Sequence, residues 1–471
     1  MKTKLIRICI ISLLQFSIQA QQADLSGIWT GKLSLPNTVK LTIVFHFQKD
    51  TDGKYTATMD SPDQVAKGIP TESVTINDDS IIVRVPSIMG SYEGKIITDS
   101  MKIDGKWKQG GMSLDLAVYK VDKVEEVKRP QEPKEPFPYK VEDVTFENKT
   151  HKLTLAGTLT MPKEGSNFPA VIMISGSGGQ NRDEELLGHK PFLVIADYLT
   201  KNGYAVLRYD DRGIAKSTGD HSLATTEDFA ADALFAVDYL KTRSEINHSK
   251  IGLIGHSEGG LIAPMAAVQS DDVSFIVLMA GPGIPGDSIL YLQGVLIQRA
   301  EGKSEDEIAK SMSIQREVFQ MIKQSDDDAA LKSKLEEKFW NEYPLMNDDE
   351  KKQLGDPKVY VEMQIKTITS PWFKYFVKYD PLLTLEKVKC PVLAINGEKD
   401  LQVPPFENLY AIETALEKGG NKNYEIKMLT GLNHLFQTSK TGAISEYGQL
   451  EETISPLALE AMLSWLNKVV K

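Results

Sequence analysis

The chain has 471 residues, of which 41% are hydrophobic and 25% charged, and its formal net charge is −11. That length implies about three ordinary domains or two large ones, and the composition excludes a disordered chain and a multi-span membrane protein. The acidic balance argues against a large basic face for nucleic acid. Two cysteines, Cys9 and Cys390, are too few for a disulfide scaffold or a cysteine-rich zinc site.

Residues 1–20 read as a secretory signal peptide. Lys2, Lys4 and Arg7 precede an apolar run over residues 8–18, and Ala20 stands before polar Gln21 and Gln22. The run is too short for a membrane span, which needs about 20 residues. Cleavage is expected after Ala20, giving an exported chain, periplasmic or secreted. Removal leaves Cys390 alone, so no intrachain disulfide is possible. Residues 24–122 then read as a small all-β domain. Leu41-Thr-Ile-Val-Phe-His-Phe47, Ser80-Ile-Ile-Val-Arg-Val85 and Leu114-Asp-Leu-Ala-Val-Tyr119 are strand-like, with turn signals such as Asp52-Gly53 and Gly110-Gly111 between them. Gly27-Ile-Trp29, echoed by Gly105-Lys-Trp107, resembles the opening of lipocalin-like barrels, and a β-sandwich is the other architecture this pattern allows. Residues 123–138 carry prolines at 130, 133, 136 and 138 among charged residues, a composition that favours extended polyproline backbone and marks an interdomain linker.

From residue 139 to 471 the rhythm changes. Apolar runs such as Ala170-Val-Ile-Met-Ile174, Lys250-Ile-Gly-Leu-Ile254, Phe275-Ile-Val-Leu-Met279 and Pro391-Val-Leu-Ala-Ile395 alternate with helical stretches. Near-continuous apolar strands separated by helices predict a mostly parallel sheet covered on both faces. Thr225 and Asp228 are placed as a capping box before Phe229, Ala233, Ala236, Val237 and Leu240 at helical spacing. Residues 283–380 lose the strand rhythm and read as an inserted helical cap.

The sharpest chemical signal is Gly255-His-Ser257-Glu-Gly259-Gly260, between a strand and a helix. Strand, Gly-X-Ser-X-Gly, helix is the nucleophile elbow, in which a strained turn lifts the serine hydroxyl above the sheet. Serine needs a base, and His434 is the only histidine after His256. His256 itself is expected to turn away and shape the elbow. The imidazole needs a carboxylate to hold it. Asp400, just after the run ending at Ile395, stands where that acid belongs, with Glu398 as its competitor.

The order Ser257, Asp400, His434 is similar to that of the α/β-hydrolase superfamily, and the resemblance covers residues 139–471. It implies an oxyanion hole built from the Glu258 N–H and one in Ser175-Gly-Ser-Gly-Gly179, with Ser177 or Gly178 as donor. No Gly-Lys-Ser/Thr accompanies that loop, which argues against phosphate binding. Tyr209-Asp-Asp-Arg-Gly213-Ile-Ala-Lys-Ser217 resembles a structural turn of these hydrolases, with Ala215 where they carry a second glycine. Gly176-Ser-Gly-Gly-Gln-Asn-Arg-Asp-Glu184, Gly-His-Ser-Glu-Gly-Gly and Pro371-Trp-Phe-Lys-Tyr-Phe-Val-Lys-Tyr-Asp-Pro381 together resemble exported bacterial esterases of the EstD type, which also carry an N-terminal β domain. The resemblance implies a serine carboxylesterase that acts on a small ester and requires no metal or organic cofactor, and a cap that closes the site is expected to favour short acyl chains. Trp372, Phe373 and Phe376 would line the acyl pocket or pin the cap. A serine aminopeptidase or prolyl peptidase is the nearest alternative, and a binding protein that keeps the fold without the chemistry is the other. Because every candidate catalytic residue follows the linker, removal of the β domain is expected to leave activity on a small ester.

Overall fold

The computed structural model describes residues 24–470, except 36–39, 65, 125–126, 347–350, 352–353 and 355. The signal-peptide reading lies outside the described residues. Among the described residues no helix is long and apolar enough to cross a membrane.

The N-terminal region forms one antiparallel sheet of nine strands, β1 (Gly27–Ser34), β2 (Lys40–Lys49), β3 (Tyr55–Ser61), β4 (Ala66–Pro70), β5 (Ser73–Asn77), β6 (Ser80–Val85), β7 (Gly90–Ile97), β8 (Lys102–Gln109) and β9 (Met112–Val121), in the order β4-β3-β2-β1-β9-β8-β7-β6-β5. Alternation dictates its curvature: Leu41, Ile43, Phe45 and Phe47 of β2 all bury on one face. The sheet wraps around them as a half-barrel, and its far strand β5 curls back to pack against β3. One curled sheet, rather than two stacked ones, is therefore the architecture. Tyr92 crosses the interior, and its hydroxyl lies 3.0 Å from both Ile103 O and Leu116 O. Gly105 is required beneath it, because a Cβ there would run into Glu93 O of the neighbouring strand.

The second sheet has eight strands, β10 (Lys140–Asn148), β11 (Leu153–Met161), β12 (Phe168–Ile174), β13 (Ala205–Tyr209), β14 (Ile246–His256), β15 (Phe275–Met279), β16 (Val392–Gly397) and β17 (Tyr424–Leu429), in the order β10-β11-β13-β12-β14-β15-β16-β17. β10 and β11 are antiparallel at one edge, and β13, β12, β14, β15, β16 and β17 run parallel. The central strands β14 and β15 are buried on both sides. One face packs on α2 (Thr226–Lys241) and α3 (Gly259–Ala267), through Ala233, Val237, Ile262 and Ala266. The other packs on α1 (Pro191–Lys201) and the helix Pro456–Val470, through Phe192, Ile195, Met462 and Trp465. Thr225 and Asp228 form the expected capping box, with Thr225 N–H donating to Asp228 Oδ2 at 2.8 Å.

Between β15 and β16 (Val392–Gly397) lie helices α4 (Gly286–Ala300), α5 (Glu305–Gln324), α6 (Asp328–Glu342), α7 (Pro357–Ile368) and α8 (Pro371–Lys378). α5, α6 and α7 share an apolar core of their own, including Ile322, Leu335 and Ile365.

The proline-rich segment is docked rather than loose. Arg129 donates to Gly188 O, Leu187 O, Gly448 O and Leu450 O, and Gln131 bonds Thr453 N and Ile454 N. The half-barrel also meets the α/β region directly. Leu187, Leu435 and Tyr447 pack within its apolar cluster. At the β8–β9 turn, Gly110 and Gly111 abut Met363 and Val359 of α7, and Asp356 N–H donates to Gly111 O at 3.2 Å.

Candidate active site

Ser257 follows the last residue of β14 and has φ of +52°, in the left-handed region that non-glycine residues rarely adopt. Its N–H donates to Met279 O at 2.8 Å, which anchors the turn to β15. Both flanking glycines are sterically required: a Cβ on Gly255 would overlap the Gly259 carbonyl, and one on Gly259 would overlap Ile174 O. The serine therefore stands at the N-terminus of α3, where unpaired N–H groups favour negative charge.

His434 lies in the loop after β17 (Tyr424–Leu429). Asn433 shapes that loop, since its Oδ1 accepts from Leu435 N at 3.0 Å and Gln437 N at 2.9 Å. His434 Nδ1 is 2.8 Å from Asp400 Oδ2, and both side chains are buried. The other Asp400 oxygen accepts from Gln402 N at 2.8 Å and Val403 N at 2.9 Å, which fixes the carboxylate. Glu398 instead accepts from Gly431 N at the surface, away from the imidazole.

Ser257, His434, Glu258 and Ser177 line one cavity of about 300 Å³, with Trp372 and Phe376 of α8 and Leu290 of α4 forming apolar wall. Among the described residues Ser257 Oγ makes no hydrogen bond to His434, as is common before a substrate is bound. The Glu258 and Ser177 N–H groups have no acceptor among the described residues. Gly178, at φ of +91°, follows in the same turn and does not line the cavity. Phe373 does not line the cavity: its ring lies 6.1 Å from that of Phe319, tilted by 52°, against the helical core. Among the described residues no group of three or more His, Cys, Asp or Glu could hold a metal ion.

Several buried polar side chains around the site make contacts that no local sequence pattern foretold. Glu258 Oε1 accepts from Thr226 Oγ1 at 2.6 Å and from Trp372 Nε1 at 2.8 Å. Burial raises the Glu258 carboxyl above its usual range. Asp211 accepts from Ser175 Oγ and Gln180 N. Burial, with help from the charges of Glu184 and Glu258, pushes its carboxyl up to about 8. Glu184 accepts from Gly176 N at 2.7 Å and lies 2.9 Å from His256 Nδ1. His256 did not simply turn away: its Nε2 is 3.0 Å from His434 O. The turn at Tyr209 is structural, with Arg212 paired to buried Asp232 at 2.7 Å and Ser217 Oγ donating to Asp210 O. Ala215 occupies the glycine-like position at φ of +47°.

The profile of the X-Pro dipeptidyl-peptidase family, S15, matches residues 153–430, more than half of the chain. The chain belongs to the S15 family. The chain is also similar to esterase EstD of Thermotoga maritima, 26% identical over 299 residues that make up 63% of this chain and 62% of EstD. The match thus spans less than two thirds of that relative. An acyl transferase of Photorhabdus luminescens is 32% identical over 123 residues, 26% of this chain and 37% of that protein. Among solved structures, the esterase Pf2001 of Pyrococcus furiosus aligns over 74% of this chain and 100% of its own, at 15% identity and a TM-score of 0.43.

Proposed function

We propose that this S15-family protein is a serine hydrolase, and specifically a carboxylesterase for short-acyl esters. The observation that carries the reading is the buried 2.8 Å Asp400–His434 bond in the wall of the cavity that also holds Ser257. In this mechanism Ser257 Oγ attacks the ester carbonyl while His434 takes its proton. The Glu258 and Ser177 N–H groups hold the oxyanion, a donor of this kind contributing about 10²–10³ in rate. Collapse of the intermediate expels the alcohol, which receives the proton from His434. Water, activated by the same imidazole, then clears the acyl-enzyme and restores Ser257. Asp400 keeps the imidazole in the required tautomer and stabilises its cation. The helices α4 and α8 act as a cap that bounds the acyl pocket.

The family name favours a second reading, release of X-Pro dipeptides, which needs a group to receive the substrate's ammonium. The acidic residues lining the cavity have partners of their own: Glu258 takes Thr226 and Trp372, and the charge of Glu184 is offset by His256, although its Oε2 has no hydrogen-bond partner among the described residues. This supports a neutral acyl group. Assay of p-nitrophenyl acetate beside Gly-Pro-p-nitroanilide separates the two. A higher kcat/KM on the anilide would reject the esterase while keeping the triad. Failure of a fluorophosphonate to label Ser257 would reject both and leave a binding protein. We also propose export, resting on the leader-like residues 1–20. Cell fractionation that finds the chain only in the cytosol would refute it.

A further inference from the structure

Both ring nitrogens of His256 face acceptors. Nδ1 lies 2.9 Å from Glu184 Oε1, and Nε2 lies 3.0 Å from the carbonyl oxygen of His434. A carbonyl oxygen only accepts, so Nε2 carries a proton. Glu184 Oε1 also accepts the Gly176 N–H at 2.7 Å, so it meets two N–H groups at once when Nδ1 is protonated as well. Glu184 Oε2 has no hydrogen-bond partner among the described residues, so His256 is what offsets this buried carboxylate. The two side chains are almost fully buried and 72 residues apart in sequence. Glu184 itself sits at φ of +50°, a strained backbone that the surrounding contacts hold in place.

The consequence is a continuous link under the site. At one end is Gly176, the residue before Ser177, packed so that a Cβ on it would lie 3.1 Å from Ser257 Cβ. At the other end is the backbone of His434. We propose that Glu184 and His256 are positioning residues, a carboxylate–imidazolium pair that sets the oxyanion loop and the base loop at a fixed separation across Ser257. This deepens the triad reading and rests on it. Burial alone disfavours a charged His256, but the Glu184 charge and hydrogen bond, with the His434 carbonyl and the Asp400 charge, raise its pKa overall. The titratable groups facing His256 are Glu184, the His434 ring 4.9 Å away and Asp400 beyond it.

The test uses the full chain with Glu184→Gln, Glu184→Ala and His256→Gln, and Ser257→Ala beside them, on p-nitrophenyl acetate across pH. Glu184→Gln keeps an oxygen for Gly176 and removes the charge. It is expected to lower kcat by about tenfold to a hundredfold with KM little changed, the loss typical of a slight misplacement at a reacting centre. Its alkaline limb should also move to lower pH by about one pH unit or more, because His256 loses the charge that keeps it doubly protonated. Glu184→Ala should lose more, since Gly176 N–H then has no acceptor. Folded variants with kcat and the alkaline limb within threefold and a few tenths of a unit of wild type, respectively, would overturn the proposal. So would unfolding of all three variants by circular dichroism, since the pair would then maintain the fold rather than position the site. A wild-type protein without ester activity, or an active Ser257→Ala, would instead strike the triad reading itself.

Discussion

At Ser257 the backbone is strained so that the hydroxyl meets the cavity, and nothing in the packing depends on the hydroxyl itself. Ser257→Ala is therefore expected to cut ester turnover by about four orders of magnitude or more while leaving Tm within a degree or two. His434→Ala should be comparably severe, and the double variant little worse than either, because the residues act as one unit. Residual activity above a few per cent in purified Ser257→Ala would move the nucleophile elsewhere. Asp211 makes a second prediction, on stability. Its carboxyl rises from 3.8 to about 8 on burial. The folded state thus holds a proton that the unfolded chain releases. That contribution is complete below about pH 4 and is lost as pH climbs through about 8. Asp211→Asn removes the titration, so its Tm relative to wild type should improve steadily between about pH 5 and about pH 8. A Tm difference independent of pH over that interval would show that Asp211 does not carry this proton.

The helix α8 presents Trp372 and Phe376 to the cavity and Phe373 to the helical core, so one short element both walls the site and anchors the insertion. The cavity of about 300 Å³ is at the small end for a ligand site. Each added methylene gains about 0.8 kcal/mol on burial, which a clash with a fixed ring soon outweighs. On p-nitrophenyl esters kcat/KM should peak between acetyl and hexanoyl, and Phe376→Ala should move the peak to longer chains. Phe373→Ala should leave the peak in place and lower Tm. An optimum at dodecanoyl in wild type would mean an open groove in place of a walled pocket. The element scale also explains what could be read in advance. Parallel strands buried on both faces are continuous apolar runs, so β12 (Phe168–Ile174), β14, β15 and β16 were visible, and with them Ser257, Asp400 and His434 at their ends. The antiparallel edge pair β10 and β11 lacks such runs on its outer strand, where Lys140, Glu142, Asp143 and Glu147 are interleaved with Val141, Val144 and Phe146. Helical spacing groups Trp372, Phe373 and Phe376 without saying which face each turns to, so both roles, lining the pocket and pinning the cap, stayed open for each of them. Glu184 closes the glycine-rich motif, but its pairing with His256 had no local signal, since the two lie 72 residues apart.

At the scale of the molecule, the half-barrel touches both sides of the site. Leu435, beside the candidate base, and Tyr447 are buried in its cluster, while its Gly110–Gly111 turn meets α7 of the helical insertion. One segment forms a shared wall: Glu184 and Leu186 line the cavity of Ser257, whereas Glu185 and Leu187 line a cleft of about 870 Å³ between the half-barrel, the docked proline-rich strap and the α/β region. The independence of the two regions expected from sequence therefore gives way, because apolar residues flanking the active site use the half-barrel as their core. Removing residues up to Val121 would bare Leu187, Leu435 and Tyr447 to water and free α7 from its contact. The loop holding His434 would lose the packing that restrains it. A truncate beginning at the strap is expected to be poorly soluble or, where soluble, at least a hundredfold less active on p-nitrophenyl acetate. A point substitution separates loss of packing from loss of a whole domain. Leu435→Ala in the full chain should destabilise by about 2–5 kcal/mol, the range for a truncated buried leucine. Its loss of kcat at low temperature should exceed that of Ile43→Ala, a substitution in the same cluster but in strand β2. A soluble, folded truncate with activity within threefold of the full chain would return the half-barrel to the role of an independent appendage.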